Sequence, residues 1–112
     1  MVGHTGSIPA TIIGVEAVDL CLERIVRAVD ECGAVLLVTA DHGNADEMLE
    51  KTKSGGYGPK TAHSLNPVPF VIYDPDFKHE IRGGDYGLAN VAPTIAALLG
   101  VAPPATWEKC MI

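Results

Sequence analysis

The stretch "AVLLVTADHGN", residues 34–44, decides how the chain is organised. Residues 34–40 form a continuous apolar run that is rich in β-branched side chains. Because the run does not alternate between apolar and polar residues, it predicts a strand covered on both faces, as in parallel sheets. Asp41 and His42 follow at once, and Gly43 lets the chain turn there. In open α/β sheets the ligand crevice lies outside the carboxyl ends of the strands, so this is where we expect a functional site.

A helical pattern precedes this strand. Apolar residues recur at intervals of three and four between Ile12 and Cys32, which predicts an amphipathic helix. Thr11 is the predicted N-terminal cap and Gly33 the predicted stop signal. The first eleven residues, rich in Gly, Ser and Thr, are predicted to form a loop.

The elements that follow the strand are predicted from apolar runs and turn residues. We expect a short helix over residues 44–50, a long loop rich in Gly, Lys and Ser over 51–67, and a second strand over 68–73. A second helix is predicted over 87–100, and the tail 101–112 reads as irregular.

The order helix, strand, short helix, strand, helix predicts an α/β fold with right-handed crossovers. A sheet with only about two clear strands would leave bare edges that must pair with something. The chain is therefore expected to be part of a larger sheet, and in isolation to self-associate through its open sheet edges.

Composition excludes several classes of function. The chain of 112 residues carries 14 acidic and 8 basic side chains, a net charge of −6, which argues against binding nucleic acid. No apolar run reaches membrane-spanning length, and the amino terminus lacks the pattern of a signal peptide. The three cysteines show no metal or disulfide spacing and are predicted to be reduced thiols, so we expect a cytoplasmic location without a membrane partner.

Three of the four histidines, His4, His42 and His63, lie in predicted loops, whereas His79 lies in a charged segment and is predicted to be a surface residue. A single loop histidine is more often solvated or capping than a ligand. Three of them, together with Asp41 at a strand end, favour a metal site, because imidazole and carboxylate suit Zn²⁺, Mn²⁺ or a similar ion. These four side chains could fill one tetrahedral site or supply part of two.

Other catalytic motifs are absent. The sequence contains no GxGxxG motif, no phosphate-binding P-loop and no GxSxG nucleophile elbow. Ser64, next to His63, is interpreted as a turn residue or a residue supporting a ligand, not as a nucleophile.

Three motifs, "MVGHTG", "VTADHGNAD" and "TAHSLNPVPFVIY", occur in the same order as in the cofactor-independent (2,3-bisphosphoglycerate-independent) phosphoglycerate mutases of the alkaline phosphatase superfamily, whose carboxyl-terminal part they resemble. "GLANVAPTIAALLGV" resembles the last helix of that family. The resemblance implies an alkaline-phosphatase-like three-layer sandwich with a mostly parallel sheet flanked by helices. Residues 1–112 would then be the carboxyl-terminal portion of the metal-binding phosphatase domain, without its amino-terminal portion and without the inserted substrate-binding domain.

The same resemblance implies a chemistry. Family members interconvert 3-phosphoglycerate and 2-phosphoglycerate in glycolysis and gluconeogenesis through a phosphoserine at a site of two divalent ions, usually manganese, with zinc, cobalt or magnesium as alternatives. By match to the family motifs, His4 and His63 would bind one ion, and Asp41 and His42 the other. The family's nucleophilic serine, its substrate-binding residues and an aspartate ligand that directly precedes the "MVGH" segment have no counterpart here. We therefore expect no mutase turnover and weakened metal affinity for these residues alone.

Two other functions remain open from the sequence. A related metalloenzyme of the same superfamily, such as a phosphatase, a phosphopentomutase or a sulfatase, would share the Asp-His pair at a strand end. A metal-binding or assembly module without catalysis would explain the same histidines. The segment "HSLNPVP", residues 63–69, favours the mutase.

Overall fold

The computed structural model describes residues 1–112 and divides into two units, Met1–Asp76 and Phe77–Ile112. In the first unit, a short 3₁₀ helix precedes one long helix and four strands: Gly3–Thr5, α1 (Ile8–Cys32), β1 (Leu36–Thr39), β2 (Leu49–Lys51), β3 (Tyr57–Pro59) and β4 (Phe70–Tyr73). In the second unit, a 3₁₀ turn leads directly into a helix: Leu88–Asn90 and α2 (Val91–Leu98). The three cysteines are free thiols.

Helix α1 begins at Ile8, earlier than the sequence predicted. Ser7 is the residue before it, and Pro9 lies in its first turn, where the fixed φ of proline favours helix and no hydrogen bond is lost. Thr11 was predicted as the cap, and this is wrong: it lies inside the helix, where its hydroxyl donates to the Ser7 carbonyl at 3.0 Å. The predicted stop is confirmed, because Gly33 adopts a left-handed conformation with φ of 60°.

The first half of the apolar stripe that predicted α1 is exposed. The side chains of Ile12, Val15 and Val18 are between 54 and 66% exposed. At the other end of the helix, the Tyr73 hydroxyl donates to Asp30 at 2.6 Å, which ties β4 to α1 and raises the pKa of the tyrosine. No helix of the structure combines the length and the apolar character needed to cross a membrane.

The two predicted strands pair with each other, but antiparallel. Leu36 of β1 lies opposite Tyr73 of β4, and Thr39 lies opposite Phe70. The parallel arrangement and right-handed crossover predicted between them are wrong, because a parallel pair needs a crossover connection, usually a helix, and none lies between these strands.

The short helix predicted over residues 44–50 is also wrong. Its last residues belong to β2, which pairs antiparallel with β3, Leu49 lying opposite Pro59. The turn between them closes where Gly55 adopts φ of 87° and the Thr52 amide donates to the Gly56 carbonyl at 2.9 Å. The predicted long loop 51–67 therefore contains one strand of a hairpin. Strand pairing within this hairpin has overridden the local helical pattern.

In the second unit, the tail, residues 101–112, has no regular secondary structure, as predicted. Hydrogen bonds nevertheless attach it to α2 and to the turn before it. Thr94 is fully buried; its hydroxyl donates to the Asn90 carbonyl at 2.7 Å and accepts from the Met111 amide at 3.0 Å. Asn90 in turn donates its side-chain amide to the Lys109 carbonyl at 2.9 Å. These bonds hold the buried Met111 against the helix.

Replacing Thr94 by valine is expected to destabilise this unit by about 1–3 kcal/mol, because the Met111 amide would be left buried without an acceptor. Urea denaturation followed by NMR signals of residues 77–112 measures the change. The Thr94→Ser variant keeps the hydroxyl and should lose less; a Thr94→Val variant as stable as the unmodified chain would mean that the hydrogen bonds of the hydroxyl contribute nothing.

Candidate metal centre

Three of the predicted ligands converge. His4 lies in the first 3₁₀ helix, His42 follows β1, and His63 follows β3. One ring nitrogen from each lies within 4.8 Å of the other two. The His42 and His63 rings are stacked, with centroids 3.7 Å apart and planes 9° apart, and the His4 ring lies 5.4 and 5.2 Å from them. Loops from distant parts of the chain thus bring three imidazoles to one place.

Backbone carbonyls orient two of these rings. His4 Nδ1 lies 2.9 Å from the Thr61 carbonyl, and His42 Nδ1 lies 3.2 Å from the Gly43 carbonyl. Because a carbonyl only accepts, each Nδ1 carries the hydrogen, and in the neutral ring the lone pair is on Nε2. A histidine that donates from one nitrogen to a carbonyl and offers the other is the usual form of a metal ligand. The donor set fits a divalent ion that prefers imidazole.

Asp41 lies beside this group. One of its carboxylate oxygens is 3.6 Å from His42 Nε2, and its side chain is 87% exposed. The converging group of ligand atoms contains the histidines alone. The predicted division of ligands, with His4 and His63 on one ion and Asp41 and His42 on another, stays a prediction.

Hydrogen bonds join the loop that carries His42 to the loop that carries His63. The Ser64 amide donates to the Gly43 carbonyl at 2.8 Å, and the Asn44 side chain donates to the Ala62 carbonyl at 3.2 Å. The Ser64 hydroxyl donates to Asp46 at 2.7 Å, and the Asn66 side chain donates to the same carboxylate at 2.6 Å. Ser64 thus connects the two loops, and its role in supporting a metal ligand stays a prediction.

Sequence reasoning missed Asp46, Asn44 and Asn66. The only available signal was that polar side chains follow each histidine at short intervals, as in "HGNAD" and "HSLN". Such spacing is common in loops, because Asn and Asp also stabilise turns. Their contribution depends on the meeting of two loops, which the sequence does not show.

Two glycines in these loops are required for space. A Cβ atom at Gly3 would overlap Asn44 Oδ1, and one at Gly43 would overlap Ser64 Oγ. Neither residue has a positive φ. Glycine at these positions therefore allows close approach of the loops, whereas the sequence had suggested only a turn at Gly43.

The hydrogen bonds to Asp46 lower its pKa from 3.8 to about 2, the bond from Ser64 contributing most and that from Asn66 next. Both bonds favour the ionised carboxylate. Since the pKa in the folded chain lies below the ordinary value, the stabilisation is fully present above about pH 4 and is lost as the pH falls through about 2.

We therefore expect the carboxyl ¹³C signal of Asp46 to titrate near pH 2, together with the amide signal of Ser64, in an NMR titration from pH 6 to pH 1.5. In Asp46→Asn the Ser64 signal should show no such step. A midpoint close to 3.8 in the unmodified chain would contradict the bonds described.

His79 belongs to the second unit. It was predicted to be a surface histidine, but it is half-buried, because its ring packs edge-on against Phe77 with centroids 4.9 Å apart. It is not part of the converging histidine group.

The converging imidazoles agree with the family to which the chain is similar over most of its length. The model of the Metalloenzyme superfamily matches residues 1–103, and the chain belongs to this superfamily. Divalent-metal binding is the property that this membership implies.

Individual relatives are more specific. The chain is 44% identical, over its whole length, to the probable 2,3-bisphosphoglycerate-independent phosphoglycerate mutase of Leptospira interrogans, and 53% identical, over 94% of its length, to the 2,3-bisphosphoglycerate-independent phosphoglycerate mutase of Chloroflexus aggregans. It spans about a fifth of the length of these curated relatives, 22 and 19% respectively.

A solved structure gives the same result. The Leishmania mexicana phosphoglycerate mutase, crystallised at low cobalt concentration, superposes on 98% of this chain with a TM-score of 0.87 and 41% identity, and the chain covers 22% of it. The resemblance to cofactor-independent phosphoglycerate mutases and the α/β fold of the alkaline phosphatase type are both confirmed.

Proposed function

We propose that these residues form part of the metal centre of a phosphoglycerate mutase, an isomerase that interconverts 3-phosphoglycerate and 2-phosphoglycerate in glycolysis. The observation that carries the proposal is the convergence of His4, His42 and His63 within 4.8 Å of one another. They come from the same three loops whose motifs resemble the mutases, and the relatives bear that name.

The ions proposed for the centre are divalent, with manganese first and zinc, cobalt or magnesium as alternatives. Asp41 and His42 would hold one ion, and His4 and His63 the other. A bound ion would supply positive charge for a transferring phosphoryl group. The part played by this chain is to hold the ligands: the Thr61 and Gly43 carbonyls keep two rings in the tautomer that offers Nε2.

The proposed substrate is phosphoglycerate, and the proposed location is the cytoplasm. With 14 acidic and 8 basic residues, the chain has no excess of cations to attract a phosphate, so the ions would provide much of the attraction. We expect substrate-binding side chains to lie in the part of a mutase that these residues do not include.

We also propose that the isolated chain self-associates through the unpaired edges of its sheet. The sheet of β1 and β4 has only those two strands, so each strand keeps one unpaired edge, and α1 exposes apolar side chains. Light scattering over a range of concentrations should show a mass that rises above that of a monomer. A constant monomer mass of 11.8 kDa would contradict this part of the proposal.

A chimera tests the activity. Residues 1–112 would replace the matching segment of the Chloroflexus aggregans relative, and ³¹P NMR would follow conversion of 3-phosphoglycerate in the presence of Mn²⁺. We expect 2-phosphoglycerate to form, activity to be lost in the His63→Ala chimera, and activity to remain in the His79→Ala chimera. Release of inorganic phosphate instead would indicate a phosphatase. A folded, metal-loaded chimera without turnover would contradict the mutase proposal.

A further inference from the structure

Asp46 lies where the two histidine-bearing loops meet, outside the converging histidine group. We propose that Asp46 is a positioning residue, which fixes the His63 ring against the His42 ring through its bonds to Ser64 and Asn66. The inference rests on the proposed metal-binding function, because it assigns to Asp46 the task of preparing that centre.

The first support comes from how the three rings are held. His4 and His42 each have a backbone carbonyl at Nδ1, but no hydrogen bond holds the ring of His63, which is exposed. Its only described contacts are with the other two rings. Apart from these ring contacts, the orientation of His63 therefore depends on the backbone on either side of it.

That backbone is fixed by Asp46. Ser64, the residue directly after His63, is 5% exposed, and its hydroxyl can reach the carboxylate because Gly43 has no Cβ. One oxygen, Asp46 Oδ2, accepts from both Ser64 Oγ and Asn66 Nδ2. A single carboxylate thus binds two residues of the 63–66 loop to the 42–46 loop.

The hydrogen-bond chemistry of Asp46 predicts which substitution keeps the bonds to Ser64 and Asn66. Asp46 acts only as an acceptor, and both donors use the same oxygen. An amide carbonyl in the same place accepts the same two bonds, so Asp46→Asn should keep the rings in position. Asp46→Ala removes the acceptor, so the hydrogen of the buried Ser64 hydroxyl loses its partner, and the hydroxyl oxygen keeps only the Asn66 amide at 3.4 Å.

The experiment has a readout that needs no metal. In the metal-free chain, cross-relaxation between the ring protons of His42 and His63 reports their stacking at 3.7 Å. We expect this signal in the unmodified chain and in Asp46→Asn, and its loss in Asp46→Ala and in Ser64→Ala, which removes the hydroxyl that donates to Asp46. Glu50→Ala, which removes another exposed carboxylate from the same unit, is the matched control and should keep the signal. Persistence of the signal in both Asp46→Ala and Ser64→Ala would overturn the proposal.

The second readout is the visible absorption of Co²⁺ titrated into the same variants. Loss of a group that orients a metal ligand typically weakens metal affinity by 10–100-fold, which is the loss expected for Asp46→Ala. Asp46→Asn should stay close to the unmodified chain, and circular dichroism checks that every variant is folded. Equal affinity in Asp46→Ala and Glu50→Ala would overturn the positioning role. A chain that shows the stacked rings but binds no Co²⁺ would overturn the proposed metal function, while the ring signal alone still decides the role of Asp46.

Discussion

Replacing His63 by alanine is expected to weaken binding of Mn²⁺ or Co²⁺ by more than about a hundredfold, which exceeds the loss typical of residues that only support a ligand. His63 supplies one of three nitrogens that lie within 4.8 Å of one another, and its ring stacks on His42. Its removal takes away a ligand and also the neighbour that holds His42 in place. Titration of the metal into the folded variant measures the change.

The matched control for this prediction is His79→Ala. It also removes one imidazole, but from the second unit, where His79 packs against Phe77 and takes no part in the converging group. Its metal affinity should stay near that of the unmodified chain. Similar affinities for the two variants would mean that His63 does not bind a metal ion.

Replacing Gly43 by alanine is expected to destabilise the first unit by roughly 1–3 kcal/mol, the usual cost of forcing an extra carbon into a packed site. The new Cβ would overlap Ser64 Oγ and lie 2.8 Å from Asp46 Oδ1. Ser64 could move away only by breaking its bond to Asp46, and it is buried. The same substitution should therefore separate the two histidine loops and weaken metal binding.

Gly83→Ala provides the comparison for Gly43→Ala. Nothing lies within 4 Å of a Cβ built at Gly83, and its φ is not positive, so the substitution should be close to neutral. Thermal unfolding followed by circular dichroism and by the NMR signals of residues 1–76 compares the two. If Gly43→Ala is as stable as Gly83→Ala, the close approach of Gly43 and Ser64 has no energetic consequence.

The sequence predicted the elements whose pattern is local. The amphipathic period of α1 and the left-handed stop at Gly33 need no information from elsewhere in the chain, and both are confirmed. The strands β1 and β4 lie inside the predicted runs 34–40 and 68–73. Their direction relative to each other depends on the connection between them. That connection was misread, because residues 49–51 pair with the next strand, residues 57–59, instead of forming a helix.

The candidate site also combines features that the local sequence predicts with features that depend on contacts between loops. The residue types and loop positions of His4, His42 and His63, together with Asp41, predicted a metal site, and the structure brings the three histidines together. The bonds of Asp46 were not predictable from the sequence. Ser64 lies 18 positions further along the chain, and the two residues meet only because the hairpin between them folds. The glycine at position 43 was attributed to a turn, whereas the structure shows that it makes room for a side chain from another loop.

Calorimetric titration of Mn²⁺ into the purified chain at neutral pH tests directly whether the three loops form a metal centre. Convergence of His4, His42 and His63 predicts saturable binding with a dissociation constant below about 1 mM, and no such binding in His63→Ala. Absence of saturable heat up to about 1 mM Mn²⁺ in the folded chain would contradict a metal centre preformed by these residues.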